Sequence, residues 1–187
     1  RNVKIMKNKL QFYFLITTLS FLLGMSNVVN AQAPNLGSAS DFVLFTTVGA
    51  VTNTGISHVT GNVGSNNGAV TGFGNVNGVM TYTSDLKSAQ CSTDLLIAYG
   101  QLNASIPTFF PSSALGGDTL IAGIYSITGA ATLNGPLVLD AENVSGAVFI
   151  IKIQGPFSTA ANSQIILING ALACNVFWQV EGLVSMA

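Results

Sequence analysis

The residues in this chain able to do chemistry are few, and their spacing is poor for it. Asp140 and Glu142 stand two apart, so on a strand they would share a face and could pair as acid and base for polysaccharide cleavage. They sit beside Asn143 and Gly146, a setting that reads as a solvated turn. His58 stands alone, with no His, Cys or carboxylate at ligand spacing, and reads as a surface or turn residue. Cys91 and Cys174 form no CxxC, which leaves redox and zinc chemistry without support. Asn103-Ala104-Ser105 and Asn143-Val144-Ser145 match the glycosylation sequon, here read as chance matches. No enzyme emerges from these residues.

The elements that hold them are mostly short strands. Gln164–Asn169 and Asn175–Val180 are β-prone runs split by Gly170-Ala171-Leu172-Ala173. Upstream, strands are expected at Leu120–Ile127, Leu137–Leu139 and Val148–Ile153, with Gly and Asn corners between them. Phe177 and Trp178 fall on opposite faces of a strand, so one suits the core and the other a packing site beneath a helix. Leu36–Met80 reads as short strands with Gly and Asn turns and no exact repeat period. Ser84–Ala104 is the helical stretch. Ser84 is the expected cap, Leu86, Ala89, Leu95, Tyr99 and Leu102 form the apolar stripe, and Pro107 and Pro111 lie beyond the end.

The beginning of the chain reads as a leader. Arg1, Lys4, Lys7 and Lys9 precede the apolar run Leu10–Met25, and Ala31-Gln32-Ala33 follows as a small-x-small site, with Val29-Asn30-Ala31 second. That order is a secretory signal peptide over residues 1–33, with export and cleavage after Ala33 or Ala31, and a domain over 34–187. Met6 is the expected start, with Arg1–Ile5 upstream of it. Residues 34–187 keep Lys87 and Lys152 against seven acids, a net of −5. Two cations argue against nucleic acid and against an anionic membrane surface. The apolar content is too high for disorder. Abundant Gly, Ala, Ser, Thr, Asn and Val suit a β-solenoid, with small residues at corners and β-branched residues inside.

Ile165-Ile166-Leu167-Ile168-Asn169-Gly170-Ala171, followed by Asn175-Val176-Phe177-Trp178-Gln179-Val180, closely resembles the signature of the secreted β-helical ice-binding (antifreeze) proteins of bacteria and fungi. The likeness extends through Gly123–Ser126, Ala147–Ile153, Leu36-Gly37 with Phe42–Leu44, Thr52–Gly55 and Gly61–Gly64, and so covers residues 35–187. The resemblance implies an irregular, discontinuous β-helix with one long α-helix packed alongside. It implies adsorption to ice without a cofactor or covalent change, limiting growth and recrystallisation. Thr159-Ala160-Ala161-Asn162 matches the Thr-Ala/Gly-x-Thr/Asn pattern that some members place on the ice-binding face; a β-turn explains those residues equally. Thr128 and Thr132, then Thr52 and Thr54, are further candidates. The family's domain normally runs on for several coils past the Phe-Trp strand, so the chain reads as a fragment, monomeric when complete, with an exposed strand edge after Val180. The competing reading is a cell-surface β-solenoid adhesin for glycan or protein.

Stacked strands repeat side chains at ~4.8 Å between coils and ~6.6–6.8 Å along a strand, spacings of the order of those in ice. Methyl groups on such a face discourage disordered water, while hydroxyls anchor an ordered layer. Export also bears on the thiols. An oxidising compartment favours a Cys91–Cys174 bridge tying helix to solenoid, worth roughly 4–5 kcal/mol in the chain-entropy model. The alternative is two buried free thiols.

Overall fold

The computed structural model describes residues 31–187 except 56, 74, 79 and 82–84. Most of the leader reading and the Ser84 cap therefore lie outside the described residues. The rest is mostly strand, wound into two stacks of parallel coils joined by one helix.

The first stack holds β1 (Phe42–Thr46), β2 (Val51–Thr52), β3 (His58–Thr60), β4 (Asn62–Ser65), β5 (Val70–Thr71), β6 (Asn75–Asn77) and β7 (Met80–Thr81). Each strand pairs with the one three places on, giving the orders β1-β4-β7, β2-β5 and β3-β6. Three strands per coil is the signature of a three-faced β-helix. Coils must approach closely at their corners. A Cβ on Gly72 would collide with the carbonyl of Asn53 in the preceding coil, so that corner requires glycine.

Helix α1 (Leu86–Ala104) follows. Its cap is Asp85, whose carboxylate accepts from Ser88 N at 2.6 Å. Its buried residues are Ser88, Cys91, Ser92 and Ala98, with Leu95 and Leu102 half-buried. This corrects the expected stripe, since Leu86 is 91% and Tyr99 42% exposed. The inner face is built from small side chains, which let the helix axis lie close to its neighbours. Ser105 ends the helix, its N and Oγ both donating to Leu102 O.

The second stack holds β8 (Thr119–Ile121), β9 (Gly123–Ile127), β10 (Ala131–Leu133), β11 (Pro136–Asp140), β12 (Phe149–Ile153), β13 (Phe157–Thr159), β14 (Gln164–Ile168), β15 (Val176–Val180) and β16 (Val184–Ser185). Three parallel sheets result, β8-β11-β14, β9-β12-β15 and β10-β13-β16. The expected strand Leu120–Ile127 is in fact two, because a corner at Ala122 moves the chain from one sheet to the next. Pairing on β12 is in register on both sides, with Ile151 between Tyr125 and Trp178. Phe149, Ile151 and Ile153 point inward with Leu137, Leu139 and Phe157 to make the core. Ile150 points the other way and joins Ile124, Val148, Phe177 and Leu102 of the helix. Trp178 stacks on Phe157 inside, at 5.1 Å between centroids, so Phe177 and Trp178 divide between helix and core as the period of two requires.

The two thiols are unbridged, Cys91 buried and Cys174 exposed. The helix explains this. Tyr99 reaches Glu181 just past β15, and Asn103 and Ser105 reach Lys152 on β12, so the C-terminal end of α1 crosses the sheet from strand to strand. Cys91 lies two turns N-terminal to Tyr99, on the part of the helix that packs on the Gly37–Asp41 segment beside Asp94, whereas Cys174 is exposed in the turn before β15. Burial, with the charges of Asp94 and Asp41, pushes the Cys91 thiol up to about 11. In the native protein at pH 8, a disulfide reagent such as Ellman's should titrate Cys174 within minutes and reach Cys91 only on unfolding. Two fast thiols, or none under non-reducing conditions, would contradict the arrangement.

The helix also pins the segment before β1. Ser38 donates to Asp94 Oδ2 from both N (2.8 Å) and Oγ (2.7 Å), and Gln90 donates to Oδ1. Gly37 holds a left-handed φ of +48°, and a Cβ there would meet the same carboxylate. Those hydrogen bonds, led by the Ser38 hydroxyl, hold the Asp94 carboxyl below its ordinary value of 3.8. A depressed carboxylate stabilises the fold fully above its unfolded pKa, and the stabilisation disappears as pH falls through the folded one. Melting temperature should thus decline below about pH 4 in the parent, and Asp94→Ala should flatten that acid limb while lowering the plateau. An unchanged profile would show the pin to be idle.

Candidate functional site

Each coil leaves its outward side chains on one of three faces, and the sheets dispose of them differently. On β9-β12-β15 the outward residues are the apolar Ile124–Ile150–Phe177 row beneath the helix and a polar Ser126–Lys152–Gln179 row. On β8-β11-β14 they are Thr119–Val138–Ile166 and Ile121–Asp140–Ile168, partly apolar and carrying one charge.

The third sheet is different. In β10-β13-β16 the inward row is Ala131–Phe157–Val184, with Ala131 and Phe157 in the core. Period two then turns Thr132, Ser158 and Ser185 outward in one in-register row, all exposed. Ala114 adds to Thr132 through a parallel bridge, so the row reads Ala, Thr, Ser, Ser. In-register stacking spaces such a row at ~4.8 Å. The first stack repeats the pattern. Val51–Val70 pairs beside Thr52–Thr71, both threonines exposed, and Thr71 Oγ1 lies 3.3 Å from Thr52 Oγ1. Thr60 and Asn77 are register partners on β3 and β6, both exposed.

No residue of β2, β5, β10, β13 or β16 is charged. Small hydroxyls with methyls, repeated at a fixed spacing and free of ionic hydration, can hold water in an ordered layer. They offer no nucleophile–base pair, and the described residues contain no group of three or more His, Cys, Asp or Glu able to hold a metal.

The expected residues meet different fates. Thr132 and Thr52 stand in the outward rows. Thr128 is exposed but lies past the end of β9 at the Gly129 corner, and Thr54 lies past the end of β2. Thr159 follows the outward Ser158, so it turns inward beside Leu133 and lines a groove at the end of the stack with Phe157, Trp178 and Val180. Its Oγ1 accepts from Ala187 N at 3.1 Å. Ala160 N donates to Leu133 O, and Ser163 Oγ donates to the same carbonyl, which ties this corner to the coil before it. Asn162 is exposed at a left-handed φ of 66°, a turn conformation that asparagine tolerates. Thr159-Ala160-Ala161-Asn162 is thus a corner.

Ser158, Ser185 and Thr71 are the row members that sequence reasoning missed. Alternation from the core residue Phe157 was the available signal for Ser158. Asp140 and Glu142 form the expected turn, with Asp140 Oδ1 accepting from Glu142 N (2.7 Å) and from Asn169 Nδ2 (2.8 Å). His58 is exposed on β3. At the end of the second stack β14, β15 and β16 each pair on one side only, and Ile165, Val184 and Met186 are exposed there.

Comparison with known proteins agrees with this architecture. The ice-binding-like family pattern matches residues 45–187. An ice-binding protein of Nostoc sp. (strain HG1) is 36% identical over 174 residues, covering 91% of this chain and 64% of its own length. One from Flavobacterium frigoris (strain PS1) is 31% identical over 175 residues, 81% of this chain and 60% of that protein. The chain therefore spans under two thirds of these curated relatives. The crystal structure of an ice-binding protein from an Antarctic Flavobacteriaceae bacterium superposes with a TM-score of 0.79 at 59% identity, over 83% of this chain and 37% of that one. A second, from an Antarctic biological consortium, gives 0.78 at 31% identity, over 87% and 76%. These matches lend the adhesin reading no support. By sequence pattern and by fold, the chain belongs to the ice-binding-like family.

Proposed function

We propose that this chain adsorbs to ice through the uncharged outward rows of its solenoid, chiefly Thr132–Ser158–Ser185 with Thr52–Thr71, and so limits ice growth and recrystallisation. The observation that carries the reading is the in-register row of exposed small hydroxyls on β10, β13 and β16. The family supports the target, since the related proteins bear ice-binding names. Each contact is weak. A rigid array adds them without paying again for ordering, because the strands already fix the spacing. Adsorption needs no cofactor and changes no bond. The basic start, apolar run and Ala31-Gln32-Ala33 site support export and action outside the cell, with the leader removed.

Ice-affinity partitioning tests this directly. The folded parent should be taken up by a growing ice hemisphere that excludes an inert control. Ser158→Lys, at the middle of the row, should lower uptake by roughly tenfold, the equivalent of ~1.4 kcal/mol. Ala89→Lys, on the exposed side of the helix, should leave it unchanged. A folded parent excluded from ice would end the reading. Equal uptake by the parent and a folded Ser158→Lys would move the contact surface elsewhere.

A further inference from the structure

Where the helix ends against β9-β12-β15 there is a second feature that ice adsorption does not use. A cleft of about 640 Å³ opens between the residues from Tyr99 to Pro107 and the Ser126–Lys152–Gln179 row. Such a volume falls within the ~300–1,000 Å³ range of small-molecule sites.

Its charges are already satisfied within the chain. Lys152 Nζ donates to Asn103 O and Ser105 O, both at 3.0 Å, and so closes the C-terminus of the helix. Glu181 accepts from Tyr99 OH at 2.7 and 2.8 Å and from Gln179 Nε2 at 2.9 Å. The Glu181 hydrogen bond, before all else, holds the Tyr99 phenol above its ordinary value.

One group is not satisfied. Gln179 is 5% exposed, and its Oε1 is buried with no hydrogen-bond partner. Flipping the amide would set that oxygen against the Glu181 carboxylate, so the orientation is fixed by its neighbour. An orphaned buried acceptor costs ~1–3 kcal/mol, and Gln179 is among the residues lining the cleft. Next along the row stands the Lys152 ammonium, with one N–H beyond the two given to carbonyls, and one strand further, ~9.6 Å from Gln179, the Ser126 hydroxyl, which both donates and accepts. One acceptor, one donor and one group that does both, spread over three successive strands with no net charge between Lys152 and Glu181, match several hydroxyls along a neutral molecule. A charged ligand would have to break the pairs that exist.

We propose that this cleft binds a small polyhydroxylated molecule, a polyol or a single sugar unit, through Gln179 Oε1, the Ser126 hydroxyl and the Lys152 ammonium. The site lies on a different sheet from the Thr132–Ser158–Ser185 row and stands independently of the ice reading.

The test is a nitrogen-15 NMR titration of the intact chain with sorbitol and with glucose, against trimethylamine N-oxide as an osmolyte without hydroxyls. Saturable shifts are expected at the Gln179 side-chain amide and at the Ser105, Ile106 and Ser126 backbone amides. Ser126→Ala and Gln179→Leu should each weaken binding by about tenfold or more. Linear, unsaturated shifts, or a saturation that trimethylamine N-oxide reproduces, would overturn the proposal and leave water as the partner of Gln179. Saturation that Ser126→Ala leaves untouched would also overturn it, and that small substitution decides the matter if Gln179→Leu fails to fold.

Discussion

Parallel strands stacked in register leave this chain little choice about which side chain meets which. Once Ile151 sits between Tyr125 and Trp178, its neighbours Ile150 and Lys152 must point outward, and the residues paired with them must follow. A slip of one residue would exchange the core for the surface along the whole coil. The buried rows prevent it. Phe149, Ile151, Ile153, Leu137 and Leu139 are all at most 1% exposed, and each would be turned to solvent by such a slip. The surface rows therefore inherit their order from the core.

That inheritance explains how one fold carries three unlike faces. The β9-β12-β15 sheet uses Ile124, Ile150 and Phe177 to seat the helix. The helix enters that seat with Leu102, and its buried residues, Ser88, Cys91, Ser92 and Ala98, are small. Lys152 then closes the helix end, and Asp94 fixes the segment before the first coil. Charge is concentrated in these joints. The β10-β13-β16 sheet has no element to hold and no charge to place, so Thr132, Ser158 and Ser185 are left facing outward.

Much of this was legible in the chain. Val176–Val180 was readable as a strand because its β-prone run is bounded by a small-residue turn and by Gly182, and period two alone separated Phe177 from Trp178. The helix was legible, but its face was not. Leu86 and Tyr99 look like core residues by type, and nothing local reveals that the buried face is built largely from small ones. The corner at Ala122 was hidden for a similar reason, since Leu120–Ile127 is continuously β-prone and only coil stacking decides where it turns. Thr159 shows the limit most plainly. A four-residue pattern cannot say which side of a strand it occupies, and that depended on Phe157 being core. The cysteines looked like a pair until the fold buried Cys91 beside the Gly37–Asp41 segment and left Cys174 exposed in the turn before β15.

The value of the outward rows lies in their stiffness as much as in their chemistry. Serine and threonine side chains have one short torsion each, and here their backbones are held by a ladder on one or both sides. A lysine or glutamate in the same place would add several torsions and its own hydration shell, and the spacing set by the strands would be lost at the surface. The scarcity of charge in this chain is therefore not uniform dilution. Lys152 and Glu181 lie on the helix side, Asp140 at the end of β11 with Glu142 in the turn after it, Asp118 just before β8, and Asp41, Asp85, Lys87 and Asp94 on the helix or its docking segment. Distributed evenly, the same few charges would break every row. Kept off β10-β13-β16, they leave its outward row with nothing but small side chains at a repeat the backbone dictates.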